Sequence, residues 1–146
     1  MINTVVRQIS FFEFEKLVHN ERKNGELSSD QICEFWMKTQ SESLGPHIEL
    51  TEGYKYFWTY IPHFIHTPFY VYAYAFGDCL VNVLIQLYDE GLPDFKNNYI
   101  ELLKSGGSKH YSEVLKPFNV DLKNKDSWQK GLSMISGLID EFEKAI

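Results

Sequence analysis

Apolar side chains recur at helical spacing along nearly the whole of this 146-residue chain. The clearest run lies at the carboxyl end, where large apolar residues follow one another in steps of four and three between Trp128 and Ile146. The alternation of Tyr70, Tyr72 and Tyr74 would also suit a strand, but the long apolar continuation after it favours a helix. We therefore expect an all-α fold, a single helical unit over residues 1–146. The predicted helices cover about residues 3–24, a stretch from Ser28 or Ser29 to near Gly45 and Pro46, and residues 68–90, 93–104, 111–115 and 128–146.

Composition narrows the classes of partner that such a chain can have. The net charge is −6, with only 14 lysines and arginines, so we expect neither nucleic-acid binding nor binding to an anionic membrane. Residues 69–87 are apolar over nearly the length of a membrane span, but Asp78 lies among them, which favours a buried helix. Cys33 and Cys79 lie far apart in no metal-binding pattern. Since the amino terminus also lacks the pattern of a signal peptide, we expect a cytoplasmic protein with reduced thiols.

Aromatic residues make up 16% of the chain, and many of them crowd into one stretch together with two histidines. His63 and His66 form an HxxH pair that Pro62 and Pro68 flank, so we expect an irregular turn over residues 63–67. No carboxylate lies nearby in sequence, and the HExxH motif of zinc peptidases is absent from the chain. We therefore expect no metal site at these histidines.

The tyrosines of this stretch are the candidate functional groups. Tyr70 and Tyr74 are four residues apart and would share one face of the helix predicted from Pro68, whereas Tyr72 would point elsewhere. Buried tyrosine hydroxyls need hydrogen-bond partners, and so many beside two imidazoles would be hard to satisfy in a dry core. Two interpretations stay open. One is an aromatic core whose hydroxyls reach the surface, and the other is a wet cleft whose hydroxyls donate to a carbonyl oxygen that gains charge.

Residues 60–77 resemble the carboxyl-terminal signature of oligoendopeptidase F-type enzymes, which belong to the thimet-oligopeptidase-like family of zinc peptidases. They include Pro-His-Phe at residues 62–64 and the run Phe-Tyr-Val-Tyr-Ala-Tyr at residues 69–74. Further segments agree with the family in order and spacing, so the resemblance covers essentially the whole chain. These segments are residues 3–9, 42–45, 103–108 and 120–122.

The resemblance implies a mostly helical, two-lobed catalytic domain of the zincin type. In such a domain an HExxH helix and a later glutamate hold zinc, and the zinc-bound water attacks a peptide carbonyl. By resemblance, Tyr70 stabilises the oxyanion that forms on that carbonyl, and His63 positions the substrate. Tyr74, Tyr72 and His66 are implied as further substrate-binding residues. The implied activity is that of a zinc metalloendopeptidase that hydrolyses peptide bonds in oligopeptides.

One departure from the family limits this expectation. In the family, the zinc ligands and the general base lie upstream of the segment that this chain resembles. We therefore expect a carboxyl-terminal fragment of the catalytic domain that binds no zinc and is inactive alone, and that needs a complementing chain bearing HExxH. Two alternatives stay open. They are a non-catalytic helical module that binds peptides or acts as a scaffold, and a homo-oligomer formed through exposed apolar surface.

Overall fold

The computed structural model describes residues 2–146. These residues form α-helices, 3-10 helices and connecting turns without a β-strand, which confirms the predicted all-α class. None of the helices within residues 2–146 combines the length and the apolar character that a membrane span requires. The α-helices are α1 (Ile2–Glu21), α2 (Ser29–Leu44), α3 (His63–His66), α4 (Tyr72–Asp89), α5 (Phe95–Ser105), α6 (Tyr111–Val114) and α7 (Lys125–Ala145). The 3-10 helices are Arg22–Asn24, Glu52–Tyr60 and Lys116–Phe118.

Two compact units divide the chain, and their boundary falls between Phe76 and Gly77 inside α4. The amino-terminal unit contains α1, α2, α3 and the start of α4, and the carboxyl-terminal unit contains the rest of α4 and α5 to α7. Each unit has its own cluster of buried apolar side chains. The candidate site residues all lie in the amino-terminal unit.

The core of the amino-terminal unit is built around Trp36 of α2, which is fully buried. Phe11 and Phe14 of α1 pack on its indole ring, and Phe14 meets it edge-on at a centroid distance of 5.2 Å. The indole N–H of Trp36 donates to the backbone carbonyl of Tyr54 at 3.0 Å. Because a buried indole N–H needs an acceptor, this bond fixes the 3-10 helix Glu52–Tyr60 against α2.

Local signals set both ends of α2, and the helix ends within one residue of the prediction. The Ser28 hydroxyl accepts the backbone N–H of Gln31, and the Gln31 side chain accepts the backbone N–H of Ser28 at 2.9 Å. This reciprocal pair is a capping box, which satisfies two backbone donors at the start of the helix. At the other end, Gly45 has a φ of 73°, in the left-handed region that glycine adopts without a steric penalty.

The core of the carboxyl-terminal unit lies between α4 and the third 3-10 helix. Val83, Leu84 and Leu87 of α4 pack with Leu115 and Phe118, and Val83 and Phe118 are fully buried. The side chains of α4 that face this core recur at helical spacing. Val81, Ile85 and Tyr88 of the same helix are exposed, so the expected buried helix is covered on one face only.

Helix α7 confirms the strongest periodicity in the sequence. It begins after Asn124, whose side-chain oxygen accepts the backbone N–H of Asp126 at 3.0 Å. Ile135 is buried, whereas Ile139 and Phe142 are exposed. The predicted apolar stripe is therefore covered toward the start of the helix and open to solvent toward its end.

Two expectations about the segment before α4 are wrong. The predicted irregular turn contains one turn of α-helix, α3, because Pro62 has φ and ψ of −64° and −22°, which start a helical turn. The helix predicted from Pro68 begins only at Tyr72, because Phe69 adopts a left-handed conformation with a φ of 61°. A left-handed residue interrupts the helical hydrogen-bond pattern, so the chain bends before α4 begins.

Candidate substrate-binding site

Helix α3, the turn that follows it and the start of α4 carry all the candidate site residues. His63 and His66 lie at the two ends of α3, and Tyr70 lies in the turn that follows. Tyr72 and Tyr74 lie in the first turn of α4. The turn between the two helices therefore decides which of these rings can meet.

Three of these rings form one contiguous group, His63, Tyr70 and Tyr74, which we call the His63 cluster. The imidazole of His63 stacks on the ring of Tyr70, with centroids 5.9 Å apart and an interplanar angle of 10°. Tyr74 meets both rings edge-on, at 5.8 Å from His63 and 5.7 Å from Tyr70. The Tyr74 hydroxyl also lies 3.4 Å from His63 Nε2. Offset and edge-on contacts of this kind are the favoured geometries of aromatic pairs.

The His63 cluster is accessible from solvent. Tyr70 is 47% exposed, Tyr74 is 44% exposed, and His63 is half-buried. A phenol hydroxyl can donate a hydrogen bond to an oxygen that gains negative charge, and an imidazole can donate or accept according to its tautomer. The three rings can therefore contact a bound molecule without rearrangement of the core.

The helical reason for pairing Tyr70 with Tyr74 is wrong, although their rings are adjacent. Tyr70 precedes α4, so the two residues do not share a helix face. The left-handed Phe69 turns the chain immediately before Tyr70, and the Tyr70 carbonyl accepts the backbone N–H of Ala73 at 3.0 Å. The turn rather than the helical spacing brings the two rings together.

Tyr72 and His66 have different surroundings from the His63 cluster. Tyr72 packs on Phe12 of α1 at a centroid distance of 5.8 Å and meets Phe76 edge-on at 6.4 Å. Tyr72 therefore points away from the rings of Tyr70 and Tyr74, as the sequence predicts. His66 is exposed at the carboxyl end of α3.

A buried carboxylate that sequence reasoning missed holds the turn beside the cluster. Glu15 of α1 is 2% exposed, and its Oε1 accepts the backbone N–H of Phe69 at 2.6 Å. The ring of Phe69 also contacts that of His19, at a centroid distance of 4.5 Å. Helical register is the signal that could have found Glu15. It lies four residues after the buried Phe11, on the face of α1 that is turned to the core.

Cys79 lacks the properties of a catalytic nucleophile. It is buried on α4, and burial, to which the negative charge of Asp78 adds, raises the pKa of the thiol. A raised pKa keeps the thiol protonated at neutral pH, and the thiolate is the reactive form.

Metal-ligating side chains are not gathered into a site in the part of the chain that is described. Within residues 2–146, no group of three or more histidine, cysteine, aspartate or glutamate side chains is arranged to hold a metal ion. His63, the histidine nearest the candidate tyrosines, contacts their rings instead. The chemistry that these residues can supply is hydrogen bonding and ring contact with a bound molecule.

Comparison with known proteins identifies the class to which this helical chain belongs. The model of Peptidase family M3 matches residues 1–134, and the chain belongs to that family. It is 32% identical over 145 residues to the oligoendopeptidase F homolog of Borreliella burgdorferi, a match that covers 99% of this chain and 24% of the relative. It is 31% identical over 145 residues to oligopeptidase PepF of Bacillus subtilis, which covers 98% of this chain and 21% of the relative.

A solved structure agrees with the sequence comparisons. The chain matches the crystal structure of oligoendopeptidase-F from Enterococcus faecium with a TM-score of 0.88 and 30% sequence identity, over 97% of this chain and 27% of that one. The resemblance inferred from the motifs is therefore confirmed. The chain spans about a quarter of the length of the curated relatives that it matches.

Proposed function

We propose that this chain is the carboxyl-terminal part of the catalytic domain of an oligoendopeptidase F-type zinc metalloendopeptidase, which hydrolyses peptide bonds in oligopeptides. The chain supplies the wall of the active site that contacts the peptide. One observation carries the proposal: an accessible cluster of His63, Tyr70 and Tyr74 in a chain of Peptidase family M3. Free cysteines fit the reducing cytoplasm, where we expect the protein to act on short peptides rather than on nucleic acids or membranes.

Tyr70 is the proposed oxyanion donor. Its ring is held by stacking on His63 and by the edge of Tyr74, so its hydroxyl is presented in a restrained direction. A donor that is already oriented stabilises the charge on the attacked carbonyl oxygen without a reorganisation penalty. Tyr74 is the second candidate, because its own hydroxyl lies within reach of His63 Nε2.

The histidines and Tyr72 are proposed to contact the rest of the peptide. His63 lies within the cluster and would position the backbone of the substrate next to the reacting bond. His66 and Tyr72 lie at the accessible ends of α3 and α4 and would contact residues farther along the peptide. These roles require only hydrogen bonding and ring contact, which the three side chains can supply.

Within residues 2–146, no three histidine, cysteine, aspartate or glutamate side chains are gathered to hold the zinc that the family uses. We propose that the metal and the general base come from an HExxH-bearing segment or a complementing chain. When bound there, zinc would activate a water and polarise the peptide carbonyl. This chain would contribute the donor and positioning groups on the substrate side.

The test uses a relative as the source of the remaining structure. The segment of Bacillus subtilis oligopeptidase PepF that matches this chain would be replaced by residues 1–146, and hydrolysis of a short internally quenched peptide would be followed. We expect cleavage by the chimera and a fall in kcat of about 100-fold in Tyr70→Phe, the loss that removal of one oxyanion donor produces. Tyr60→Phe, which changes a 75% exposed tyrosine elsewhere in the same unit, is the matched control.

Different outcomes remove different parts of the proposal. An unchanged kcat in Tyr70→Phe would remove Tyr70 from the oxyanion role. A folded chimera that cleaves no peptide would overturn the proposed activity. For the isolated chain we expect neither peptidase activity nor stoichiometric zinc. A saturable change in tryptophan fluorescence when that chain is titrated with the same peptide would favour a non-catalytic binding module instead.

A further inference from the structure

An unusual buried group outside the His63 cluster is the carboxylate of Glu15. It lies on the core face of α1 beside the aromatic layer of Phe11 and Phe14, and it is 2% exposed. Its Oε1 accepts one backbone N–H, whereas its buried Oε2 has no hydrogen-bond partner among the described residues. Burial of a carboxylate disfavours the folded state unless hydrogen bonds compensate for the lost water. The one hydrogen bond that Glu15 accepts is therefore the interaction that its burial serves.

The group that Glu15 holds is a residue in an unfavourable conformation. Phe69 has a φ of 61°, which is rare for a bulky side chain because its Cβ crowds the following carbonyl. Its backbone N–H donates to Glu15 Oε1 at 2.6 Å, and its ring contacts His19, one helical turn after Glu15 on α1. Helix α1 therefore holds both the backbone and the side chain of Phe69.

The conformation of Phe69 sets the direction of the next residue. The ring of Tyr70 is stacked on His63, and the Tyr70 backbone N–H donates to the carbonyl of Thr67 at 3.3 Å. If Phe69 returned to an ordinary extended or helical conformation, the chain after it would leave in another direction, because φ at one residue turns everything that follows. The stacking of Tyr70 on His63 would then be lost.

We propose that Glu15 is a positioning residue, which locks Phe69 in the left-handed conformation and thereby holds Tyr70 against His63. The consequence for catalysis rests on the proposed function, whereas the consequence for the position of Tyr70 does not. Glu15 is 54 residues before Phe69 in sequence, so it acts as a tertiary restraint on the turn. A backbone restraint of this kind keeps a donor oriented before substrate binds.

The first experiment observes Tyr70 directly in the full 146-residue chain. The chain would be labelled with 3-fluorotyrosine, and the Tyr70 resonance would be assigned by its absence in Tyr70→Phe. Glu15→Met keeps the length of the side chain but removes the acceptor, and it should shift and broaden the Tyr70 resonance. Glu15→Gln keeps an acceptor oxygen and should restore the original position. The resonance of Tyr88, which lies in the carboxyl-terminal unit, should stay unchanged in both variants.

A second variant covers the case in which Glu15→Met does not fold. Glu15→Asp keeps the charge and withdraws the acceptor by one methylene group, and it should move the same Tyr70 resonance. An unmoved Tyr70 resonance in a folded Glu15→Met or Glu15→Asp chain would overturn the positioning role, and so would an equal shift of the Tyr88 resonance.

The second experiment separates positioning from general stability in the chimera described above. Glu15→Met should lower kcat by about tenfold or more with a smaller change in KM, since the donor is misplaced rather than absent. In a Tyr70→Phe background the same change should have little further effect on kcat, because the group that it positions is already gone. Equal effects of Glu15→Met in both backgrounds would show a merely structural role. If instead the fluorine resonance shifts as expected but the chimera is inactive, the proposed activity fails and the positioning of Tyr70 stands.

Discussion

Gly131 of α7 allows the tightest backbone approach among the glycines of this chain. A Cβ atom built at Gly131 would lie 2.5 Å from the carbonyl oxygen of Cys79 and 3.1 Å from Cγ2 of Val83, both on α4. Ordinary contact begins at 3.4 Å, so α7 would have to move by about 0.9 Å. The obstacle is a backbone oxygen inside a helix, which cannot swing aside as the end of a side chain can.

The change Gly131→Ala is therefore expected to destabilise the protein. Alanine favours a helix interior over glycine by about 1 kcal/mol, which acts in the opposite direction. Overpacking a well-packed contact costs about 1–3 kcal/mol. Part of this cost arises because atoms that separate by about 0.5–1 Å lose a quarter to a half of their dispersion energy. The fully buried Val83 is among the residues that would lose contact. We expect a net loss of up to about 2 kcal/mol in the free energy of unfolding.

The same helix offers a matched control. Gly137 lies six residues later in α7, and a Cβ atom added there meets no atom within 4 Å. Gly137→Ala should therefore stabilise the protein by about 1 kcal/mol. Urea unfolding followed by circular dichroism measures both changes. Stabilisation by both substitutions would refute the close approach of α7 to the Cys79 carbonyl.

Two further predictions concern a helix cap and a buried thiol. Ser28→Ala removes one half of the capping box of α2 and should lower the free energy of unfolding by about 1 kcal/mol in urea titrations. Ser29→Ala, one residue into the helix, should change the free energy of unfolding far less. Burial of Cys79, reinforced by the charge of Asp78, raises the pKa of the thiol above its ordinary value of 9.0. The folded state then retains a proton that the unfolded state loses, so this contribution to stability is fully present below pH 9.0 and is lost as the pH rises through the folded-state pKa. Urea unfolding between about pH 8 and about pH 10 should show this decline in stability, and Cys79→Ala should make the decline shallower. An identical slope in both proteins would contradict the raised pKa of the Cys79 thiol.

The parts of the fold that sequence predicts well are those with local causes. The bounds of α2 depend on Ser28, Gln31 and Gly45, which lie in or next to the helix that they delimit. The periodicity of α7 likewise lies within one continuous segment. The start of α4 was misplaced by four residues because its cause is not local. Phe69 is held in its conformation by Glu15, which lies on a different helix.

The same distinction explains which site residues could be predicted. The motif that contains His63, Tyr70 and Tyr74 is continuous in sequence, so a resemblance could point to all three. The contact of Tyr72 with Phe12 depends on how α1 packs beside α4, which no local pattern records. Glu15 stayed unnoticed although its helical register places it on the core face of α1, since an acid in an amphipathic helix ordinarily faces solvent.

Because Phe69 is left-handed, we expect glycine at position 69 to give a more stable protein than alanine, which is the reverse of their usual order. Phe69→Ala and Phe69→Gly both lose the ring contact with His19, and both keep the backbone N–H that donates to Glu15. They differ in the backbone, because alanine at a φ of 61° carries a steric penalty of about 1–2 kcal/mol that glycine lacks. Glycine loses more chain entropy on folding, which favours the stability of the alanine variant by about 0.4–1 kcal/mol. We therefore expect Phe69→Gly to be more stable than Phe69→Ala by up to about 1.6 kcal/mol in urea unfolding. Ala73→Gly, in the first turn of α4, should instead destabilise by up to about 1 kcal/mol. If alanine at position 69 proved more stable than glycine, the turn would not hold its left-handed residue in solution, and the restraint from Glu15 would have nothing to act on.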